Sequence, residues 1–194
     1  MNKKWLTLVC ILFVFASLLI ACGQNHADED ETDNIIRIGY QKNGPLLIVK
    51  ALGQFEERLN EEGFEVEWRL FQAGPALTEA INTGSIDLGR TGNTPVIFAQ
   101  AANSPFYYLQ AGFSKYLGSG ILVHDDSHIE TIEDLEGKNI GFARGSSSHY
   151  LLVKALEQAG LTLDDIEPSY LQPGDARIAF EQGQIDAWVT WDPY

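Results

Sequence analysis

Apolar residues recur along the chain with two different spacings, and these spacings predict a succession of strands and helices. Residues 35–40 are mostly apolar and predict a first strand, and residues 65–71 predict a half-exposed strand because their apolar side chains alternate. Between these strands the apolar spacing is helical, and Gly63 is the expected end of a single helix. The apolar stripe of that helix consists of Leu47, Ile48, Ala51, Leu52, Phe55 and Leu59.

The same alternation of strands and helices continues along the chain and predicts an α/β fold. This order favours parallel sheets with right-handed crossovers. Residues 113–120 interrupt it and predict a crossing between two lobes, residues 35–113 and 114–194. Further strands are predicted at 86–89, 106–111, 121–123, 140–143, 170–171 and 185–190, and further helices at 75–83, 95–102, 131–135 and 146–158.

One sequence unit occurs twice, about a hundred residues apart. Gly84-Ser-Ile-Asp-Leu-Gly-Arg-Thr-Gly-Asn-Thr-Pro95 matches Gly183-Gln-Ile-Asp-Ala-Trp-Val-Thr-Trp-Asp-Pro193 at the Gly, Ile-Asp, Thr and Pro positions. Upstream, Gln72-Ala-Gly-Pro-Ala76 matches Gln172-Pro-Gly-Asp-Ala176, and each segment opens a short helix. Either copy alone suits an ordinary connection between a strand and a helix. The pair predicts two similar lobes with a cleft between them.

The first copy of the unit predicts an anion site at the end of a strand. A tight turn is expected at Thr91-Gly92-Asn93, followed by a helix that Thr94 caps and that has Pro95 at its first position. Such a turn directs free backbone N–H groups, and the positive end of the helix dipole, toward the carboxyl edge of the sheet. An anion is therefore the expected ligand of this edge.

A second polar turn, Arg144-Gly-Ser-Ser-Ser-His-Tyr150, also joins a predicted strand to a helix. Its hydroxyls, imidazole and backbone N–H groups can surround an anion; alternatively, one serine caps the helix and the others face water. Arg144 suits either an anion or solvent. Trp191, in the second copy of the repeat, gains little in a turn unless a ligand or the other lobe covers it, although Trp191 and Trp188 also suit a core.

The N-terminal residues have the features of a bacterial export signal. Two lysines precede an apolar run at residues 5–20, which is short for a membrane-spanning helix. Leu19-Ile-Ala-Cys22 resembles a lipobox, which predicts a signal peptide over residues 1–21 and a lipid on Cys22. A plain secretory signal or a short membrane anchor is the alternative. Residues 22–34 are polar and acidic, and a flexible linker is expected after the lipidated cysteine.

The composition limits the partners of the chain. Apolar residues make up 45% of its 194 residues, enough for a packed core. The formal net charge of −14 argues against nucleic acid and anionic membrane surfaces, so an anionic ligand must be held by local geometry. Cys10 lies in the segment expected to be removed and Cys22 is the expected lipid anchor, which leaves no thiol for a disulfide or a metal site.

The sequence contains no catalytic constellation. Ser147 and His149 are close only along the chain and no acidic residue is tied to the histidine, so a hydrolase is a weak alternative. A Gly-x-Ser-x-Gly elbow, a phosphate loop and a dinucleotide fingerprint are all missing, and the histidines lack zinc spacing. We therefore predict a binding protein with no catalytic residue, no metal and no cofactor.

Seven segments carry a resemblance to a known family. They are Ile38-Gly-Tyr-Gln-Lys-Asn-Gly44, Ala73-Gly-Pro75, Gly84-Ser-Ile-Asp87, Thr91-Gly92, Phe98-Ala-Gln-Ala-Ala102, Gly145-Ser-Ser-Ser-His-Tyr-Leu-Leu152 and Asp186-Ala-Trp-Val-Thr-Trp-Asp-Pro-Tyr194. Together they resemble the aliphatic-sulfonate-binding proteins of bacterial ABC importers, to which the taurine- and nitrate-binding proteins are related. The resemblance implies a two-lobed, type II periplasmic-binding-protein-like α/β fold. It also implies a monomeric receptor, lipid-anchored outside the cytoplasm, that passes its ligand to a permease and its ATPase.

The resemblance also implies a ligand site. A sulfonate is a tetrahedral oxyanion that stays ionised at physiological pH, so helix N-termini, hydroxyls and an amide can hold it without a full positive charge. Trp191 would cover the alkyl part, and Asp192 would either face an amine of the ligand or hold a donor in place. The implied binding residues are Gln41, Gly92, Asn93, Thr94, Ser146, Ser147, Ser148, His149, Trp191 and Asp192.

The chain departs from this family in its length. Family members are longer and cross back from the second lobe to complete the first, whereas this sequence ends at Tyr194. We therefore expect a fold that is incomplete at the C-terminus, and little sulfonate affinity for the chain as it stands. The alternatives that remain are a receptor for taurine, nitrate or another small oxyanion or metabolite, an enzyme on the same fold, and the sensor domain of a signalling protein.

Overall fold

A computed structural model describes residues 34–114 and 116–194. The predicted signal peptide, Cys22 and most of the predicted linker lie outside the described residues. No helix in the part of the chain that the structure describes is long and apolar enough to cross a bilayer.

The described residues form seven strands and six α-helices, which alternate for most of the chain. The strands are β1 Ile35–Tyr40, β2 Glu65–Leu70, β3 Leu88–Gly89, β4 Ser119–Val123, β5 Asn139–Phe142, β6 Glu167–Tyr170 and β7 Ala187–Trp191. The helices are α1 Pro45–Leu52, α2 Gln54–Glu61, α3 Gly74–Asn82, α4 Asn93–Ala101, α5 Ser147–Gln158 and α6 Pro173–Glu181. The predicted α/β class is confirmed.

The strands form two sheets. The first has the order β2-β1-β3 and is parallel, with Ile38 opposite both Trp68 and Leu88. The second has the order β4-β7-β5-β6, in which β4 is antiparallel to β7 and the other pairs are parallel. The core of the second sheet lies under α5 and consists of Leu135, Ile140, Phe142, Leu152, Leu156, Ile166, Ala187 and Val189.

The internal repeat is a structural repeat. β3 lies beside β1 as β7 lies beside β5, and the aspartate before each strand makes the same two contacts. The Asp87 backbone N–H donates to the Arg37 carbonyl at 2.8 Å, and its carboxylate accepts the Arg37 N–H at 2.7 Å. Asp186 makes the same pair of contacts with Asn139, both at 2.8 Å. The repeated aspartate therefore fixes the register at the start of each strand pair.

The isoleucine of each repeat packs on a glycine of the neighbouring strand. Ile86 and Ile185 are 2% and 4% exposed. A side-chain carbon on Gly39 would collide with the Ile86 terminal methyl, and one on Gly141 would collide with that of Ile185. The Ile-Asp pair of the repeated unit thus has a packing role and a register role, which explains why both residues recur.

The single helix predicted to end at Gly63 is wrong, because two helices occupy that segment. Gly53 has a φ of 70°, a left-handed conformation that ends α1 and begins α2. The change of direction leaves most of the predicted stripe outside the core, with Leu47, Ile48 and Leu52 40%, 62% and 64% exposed.

The strand predicted at residues 106–111 is also wrong. These residues belong to an irregular segment that pairs with neither sheet, and Tyr107 is 91% exposed. A run of apolar and aromatic residues favours a strand only where a neighbouring strand offers hydrogen bonds, and no described strand does so here. Smaller differences are a 3₁₀ turn at Glu133–Leu135 in place of the helix at 131–135, and a last strand that begins at Ala187 and not at Ile185.

The predicted cap of α4 is wrong by two residues. The helix begins at Asn93 with Gly92 as its N-cap, no side chain caps it, and Thr94 is inside the first turn. Thr94 is 6% exposed, and its N–H and hydroxyl both lie within hydrogen-bond distance of the Asn93 side-chain oxygen, at 2.9 and 3.3 Å. Asn93 therefore belongs to the helix and not to the tight turn predicted over Thr91-Gly92-Asn93.

Candidate functional site

The predicted site residues lie at the carboxyl ends of parallel strands. Gln41 follows β1, the turn at Gly92 follows β3, and the serines before and within α5 follow β5. Trp191 is the last residue of β7, which runs parallel to β5. In α/β sheets this edge is where ligands bind.

The N-termini of α4 and α5 face each other across this edge. A side-chain carbon on Gly92, the N-cap of α4, would collide with the Ser147 hydroxyl oxygen, and Ser147 is the first residue of α5. Gly145 likewise lies against Pro75 of α3, with its would-be β-carbon 3.6 Å from Pro75 Cγ. Two helix ends with positive dipoles therefore meet where the sequence predicts an anion.

The three serines before His149 have different roles. The Ser146 hydroxyl donates to the Ala143 carbonyl at 2.6 Å, lies 2.7 Å from the Ser148 hydroxyl and caps α5 by accepting the His149 N–H. Ser146 and Ser148 are each 1% exposed, so both hydroxyls stabilise the turn through buried hydrogen bonds. The Ser147 hydroxyl makes no hydrogen bond with any described residue, which leaves it available to a ligand.

The imidazole of His149 is held in one orientation. The Gly145 N–H donates to Nδ1 at 3.2 Å, and the ring stacks on Phe142 at 5.2 Å. Burial, and then the positive charge of Arg144, lower the pKa of His149, so the ring is neutral at pH 7 and carries its proton on Nε2. His149 therefore offers one oriented N–H, and no hydrogen bond joins it to Ser147 as a nucleophile–base pair would require.

Gln41 is buried, whereas Trp191 lies beside the C-terminal Tyr194. Gln41, one of two amide side chains in the predicted set, is 6% exposed. The Trp191 ring meets the Tyr194 ring edge-on at 5.9 Å. Tyr194 donates to the Gln72 carbonyl at 3.1 Å, and the Gln72 amide oxygen accepts the Gly174 N–H at 3.2 Å. The C-terminal residues therefore contact the segment between β2 and α3.

Asp192 is turned toward the segment before β4. Its N–H donates to the Gly118 carbonyl at 2.9 Å, and its carboxylate lies 3.0 Å from the β-carbon position of Gly118. The residue is exposed, and no described side chain donates to its carboxylate. This orientation distinguishes Asp192 from Asn93, its counterpart in the first repeat, whose side-chain oxygen accepts from Thr94.

Asn43, Thr91 and Thr190 were not among the binding residues predicted from the sequence, although the structure singles them out. Among the described residues, the side-chain polar atoms that are buried without a hydrogen-bond partner are Asn43 Oδ1, Thr91 Oγ1, His149 Nε2 and Thr190 Oγ1. Asn43 and Thr91 follow β1 and β3, Thr190 is the second-last residue of β7, and His149 is in the first turn of α5, which follows β5. Thr91 and Thr190 are equivalent positions of the repeat, so the repeat itself contained the signal that could have identified them.

A depression of about 390 Å³ elsewhere on the second sheet contains none of these residues. Its lining includes Leu171, Ile178 and Ile185 and is open to solvent. The polar groups of the candidate site lie instead near the carboxyl edges of the two sheets, which approach each other at Gly92 and Ser147.

Comparison with known proteins gives a consistent result. A family model described as NMT1/THI5 like matches residues 44–193. Proteins of Escherichia coli K12 and Bacillus subtilis 168, each described as a "putative aliphatic sulfonates-binding protein", are 47% and 41% identical over 85% and 100% of this chain. The chain spans only 51% and 58% of those two relatives.

A solved structure is also similar. The alkanesulfonate-binding protein of Xanthomonas axonopodis pv. citri, bound to MOPS, is 44% identical with a TM-score of 0.78. The match covers 82% of this chain and 55% of that one. It supports the predicted type II periplasmic-binding-protein-like fold for the region that the two chains share.

Proposed function

This chain belongs to the NMT1/THI5-like family, and we propose that it is the extracytoplasmic substrate-binding component of an ABC importer for aliphatic sulfonates. Its two sheets, with their helices, would be the two lobes that hold the ligand between them. The ligand is bound and released without chemical change and is passed to a permease that an ATPase drives.

The observation that carries this proposal is the set of four buried polar atoms without a partner, which lie after β1, after β3, near the end of β7 and in the first turn of α5. A buried polar group without a hydrogen bond costs about 1–3 kcal/mol, so four such groups are unfavourable unless a ligand or solvent engages them. Three of the four, the Thr91 and Thr190 hydroxyls and His149 Nε2–H, can donate. Donors without full charge suit a sulfonate, which is always ionised.

The predicted residues divide into three groups under this proposal. Ser147, His149, Gln41 and the start of α4, which comprises Gly92, Asn93 and Thr94, would surround the sulfonate oxygens, and Trp191 would cover the alkyl chain. Ser146 and Ser148 would hold the turn from inside, because their hydroxyls are already bonded to the protein. Asp192 would face the rim of the cleft, away from the anion.

A serine substitution tests the proposal. Replacing Ser147 with alanine in the full-length protein should weaken the binding of short alkanesulfonates about tenfold or more, because one hydrogen bond to a charged group is worth about 1.5–3 kcal/mol. Titration calorimetry measures the affinity. Ser104→Ala is the matched control, since the Ser104 hydroxyl also makes no hydrogen bond with described residues but lies in the irregular segment after α4. Conversion of the sulfonate to a product, or equal affinities for Ser147→Ala and wild type, would contradict the proposal.

We also propose that a lipid on Cys22 anchors the protein to the outer face of the cell membrane. Support comes from the lipobox at residues 19–22 after a short apolar run and two lysines. Cys22→Ala should therefore release the protein from the membrane fraction or block removal of the signal peptide. Cell fractionation and the mass of the mature protein measure both outcomes. Membrane retention with normal cleavage would show that another segment anchors the chain.

A further inference from the structure

Three basic side chains follow the carboxyl ends of strands without a carboxylate partner. Lys42 follows β1, Arg90 follows β3 and Arg144 follows β5, and none forms an ion pair with a described residue. Lys50, Arg58 and Lys138 also form no ion pair with a described residue, but they lie on helices or before a strand and not at these carboxyl ends. The basic residues that do form ion pairs are on strands or on helices away from this edge, namely Arg37, Arg69, Lys154 and Arg177.

Arg90 is the most constrained of these three cations. Lys42 and Arg144 are exposed and lie over aromatic rings, those of Tyr194 and Tyr170, at 5.2 and 5.3 Å. Arg90 is half-buried and has neither an aromatic partner nor a hydrogen bond among the described residues. An arginine guanidinium that is partly removed from water needs a partner more than an exposed one does.

Two glycines fix the position of the Arg90 guanidinium. Its Nη1 lies 2.6 Å from the β-carbon position of Gly44, and its Nη2 lies 3.4 Å from that of Gly112. Gly44 is the N-cap of α1, and no side chain caps that helix. The guanidinium therefore lies at the positive end of a helix dipole, where a second positive charge is unfavourable unless an anion joins the two.

We propose that Arg90 binds a second anionic group of the ligand, so that the preferred substrates are aliphatic sulfonates that also carry a carboxylate. This inference rests on the proposed function and extends it to a substrate class. Strand β3 pairs with β1 through Gly89 and Gly39, so Arg90, Gly44 and Gly92 follow the same carboxyl edge of the first sheet. A ligand with its sulfonate between Gly92 and Ser147 would therefore extend along this edge toward the guanidinium, whose planar fork matches a carboxylate.

A pair of ligands with the same three-carbon chain tests the proposal in the full-length protein. Propane-1-sulfonate and 3-sulfopropanoate differ by a methyl group in place of a carboxylate. We expect wild type to bind 3-sulfopropanoate about tenfold more tightly or better, since a hydrogen bond to a charged group is worth roughly that factor. Arg90→Gln should remove this preference and change the affinity for propane-1-sulfonate less than threefold. Arg58→Gln, an exposed site on α2 with the same loss of charge, should keep the preference.

The outcomes separate this inference from the proposed function. If wild type binds propane-1-sulfonate as tightly as 3-sulfopropanoate, the role of Arg90 is wrong while sulfonate binding stands. If neither ligand binds, both proposals fail. A preference that survives in Arg90→Gln would assign the second anion to another cation. Because the wild-type comparison needs no variant, poor folding of Arg90→Gln leaves the test intact, and Arg90→Lys, which keeps the charge without the fork, should retain part of the preference.

Discussion

Gly92→Ala is expected to abolish sulfonate binding, with a loss of affinity of about a hundredfold or more. The new methyl group would collide with the Ser147 hydroxyl, so the N-termini of α4 and α5 could no longer face each other at the same distance. Both helix ends are proposed to donate to the same anion. Losing two charge-assisted hydrogen bonds at about 1.5–3 kcal/mol each corresponds to at least a hundredfold in the dissociation constant.

The backbone at Gly92 makes this substitution a clean test of the site. Its φ of −70° and ψ of 168° are accessible to alanine, so the effect arises from the collision and not from backbone strain. Gly120→Ala is the matched control, because a β-carbon there would meet nothing within 4 Å. Calorimetry with propane-1-sulfonate should show normal affinity for Gly120→Ala and none for Gly92→Ala. Normal affinity for Gly92→Ala would mean that the anion does not bind between these helix ends.

The repeated unit explains why so much of the fold could be predicted from the sequence. Its isoleucine and aspartate each have a local task, since the isoleucine packs on a glycine and the aspartate accepts a backbone N–H of the neighbouring strand. Both contacts are made to the neighbouring strand, so the same two contacts form in each copy of the unit. The two lobes that the repeat predicts correspond to the two sheets, and their division at residues 113–114 stays a prediction.

The wrong predictions have a different physical origin. The stripe from Leu47 to Leu59 has helical spacing, but the spacing of side chains does not reveal that Gly53 adopts a positive φ. Residues 106–111 begin with a run of apolar and aromatic residues, yet a strand is stable only when a neighbour pairs with it. The first error therefore comes from a local backbone conformation, and the second from the lack of a neighbouring strand among the described residues.

The candidate site could be predicted in position but not in detail. The sequence predicts an anion at the strand ends, and in the structure Gly92 and Ser147 approach each other there. The sequence does not, however, distinguish the three serines from one another. Their hydrogen bonds distinguish them, because the hydroxyls of Ser146 and Ser148 are hydrogen-bonded within the protein and that of Ser147 has no such bond to a described residue. Thr190 was not predicted, because threonine is common in strands and only the structure shows that its hydroxyl is buried without a hydrogen-bond partner.

Phe142→Ala should cause the largest loss of stability among single substitutions in the described core, about 3–5 kcal/mol. Phe142 is 0% exposed, and its removal would leave a cavity in the cluster formed with Ile140 and Leu152. Its ring also stacks on His149 at 5.2 Å and meets Tyr170 edge-on at 5.2 Å. The cavity would therefore open directly beneath the imidazole of the candidate site.

The loss should appear in two independent measurements. Urea unfolding of the full-length protein should give a lower free energy of unfolding for Phe142→Ala, whereas Phe113→Ala, whose ring is 100% exposed, should differ from wild type by less than about 0.5 kcal/mol. Under conditions where Phe142→Ala is still folded, its sulfonate affinity should also fall, because His149 loses the ring that orients it. Equal stabilities for the two variants would mean that the second sheet is not the packed core described above. Reduced stability with unchanged affinity would instead separate His149 from the ligand.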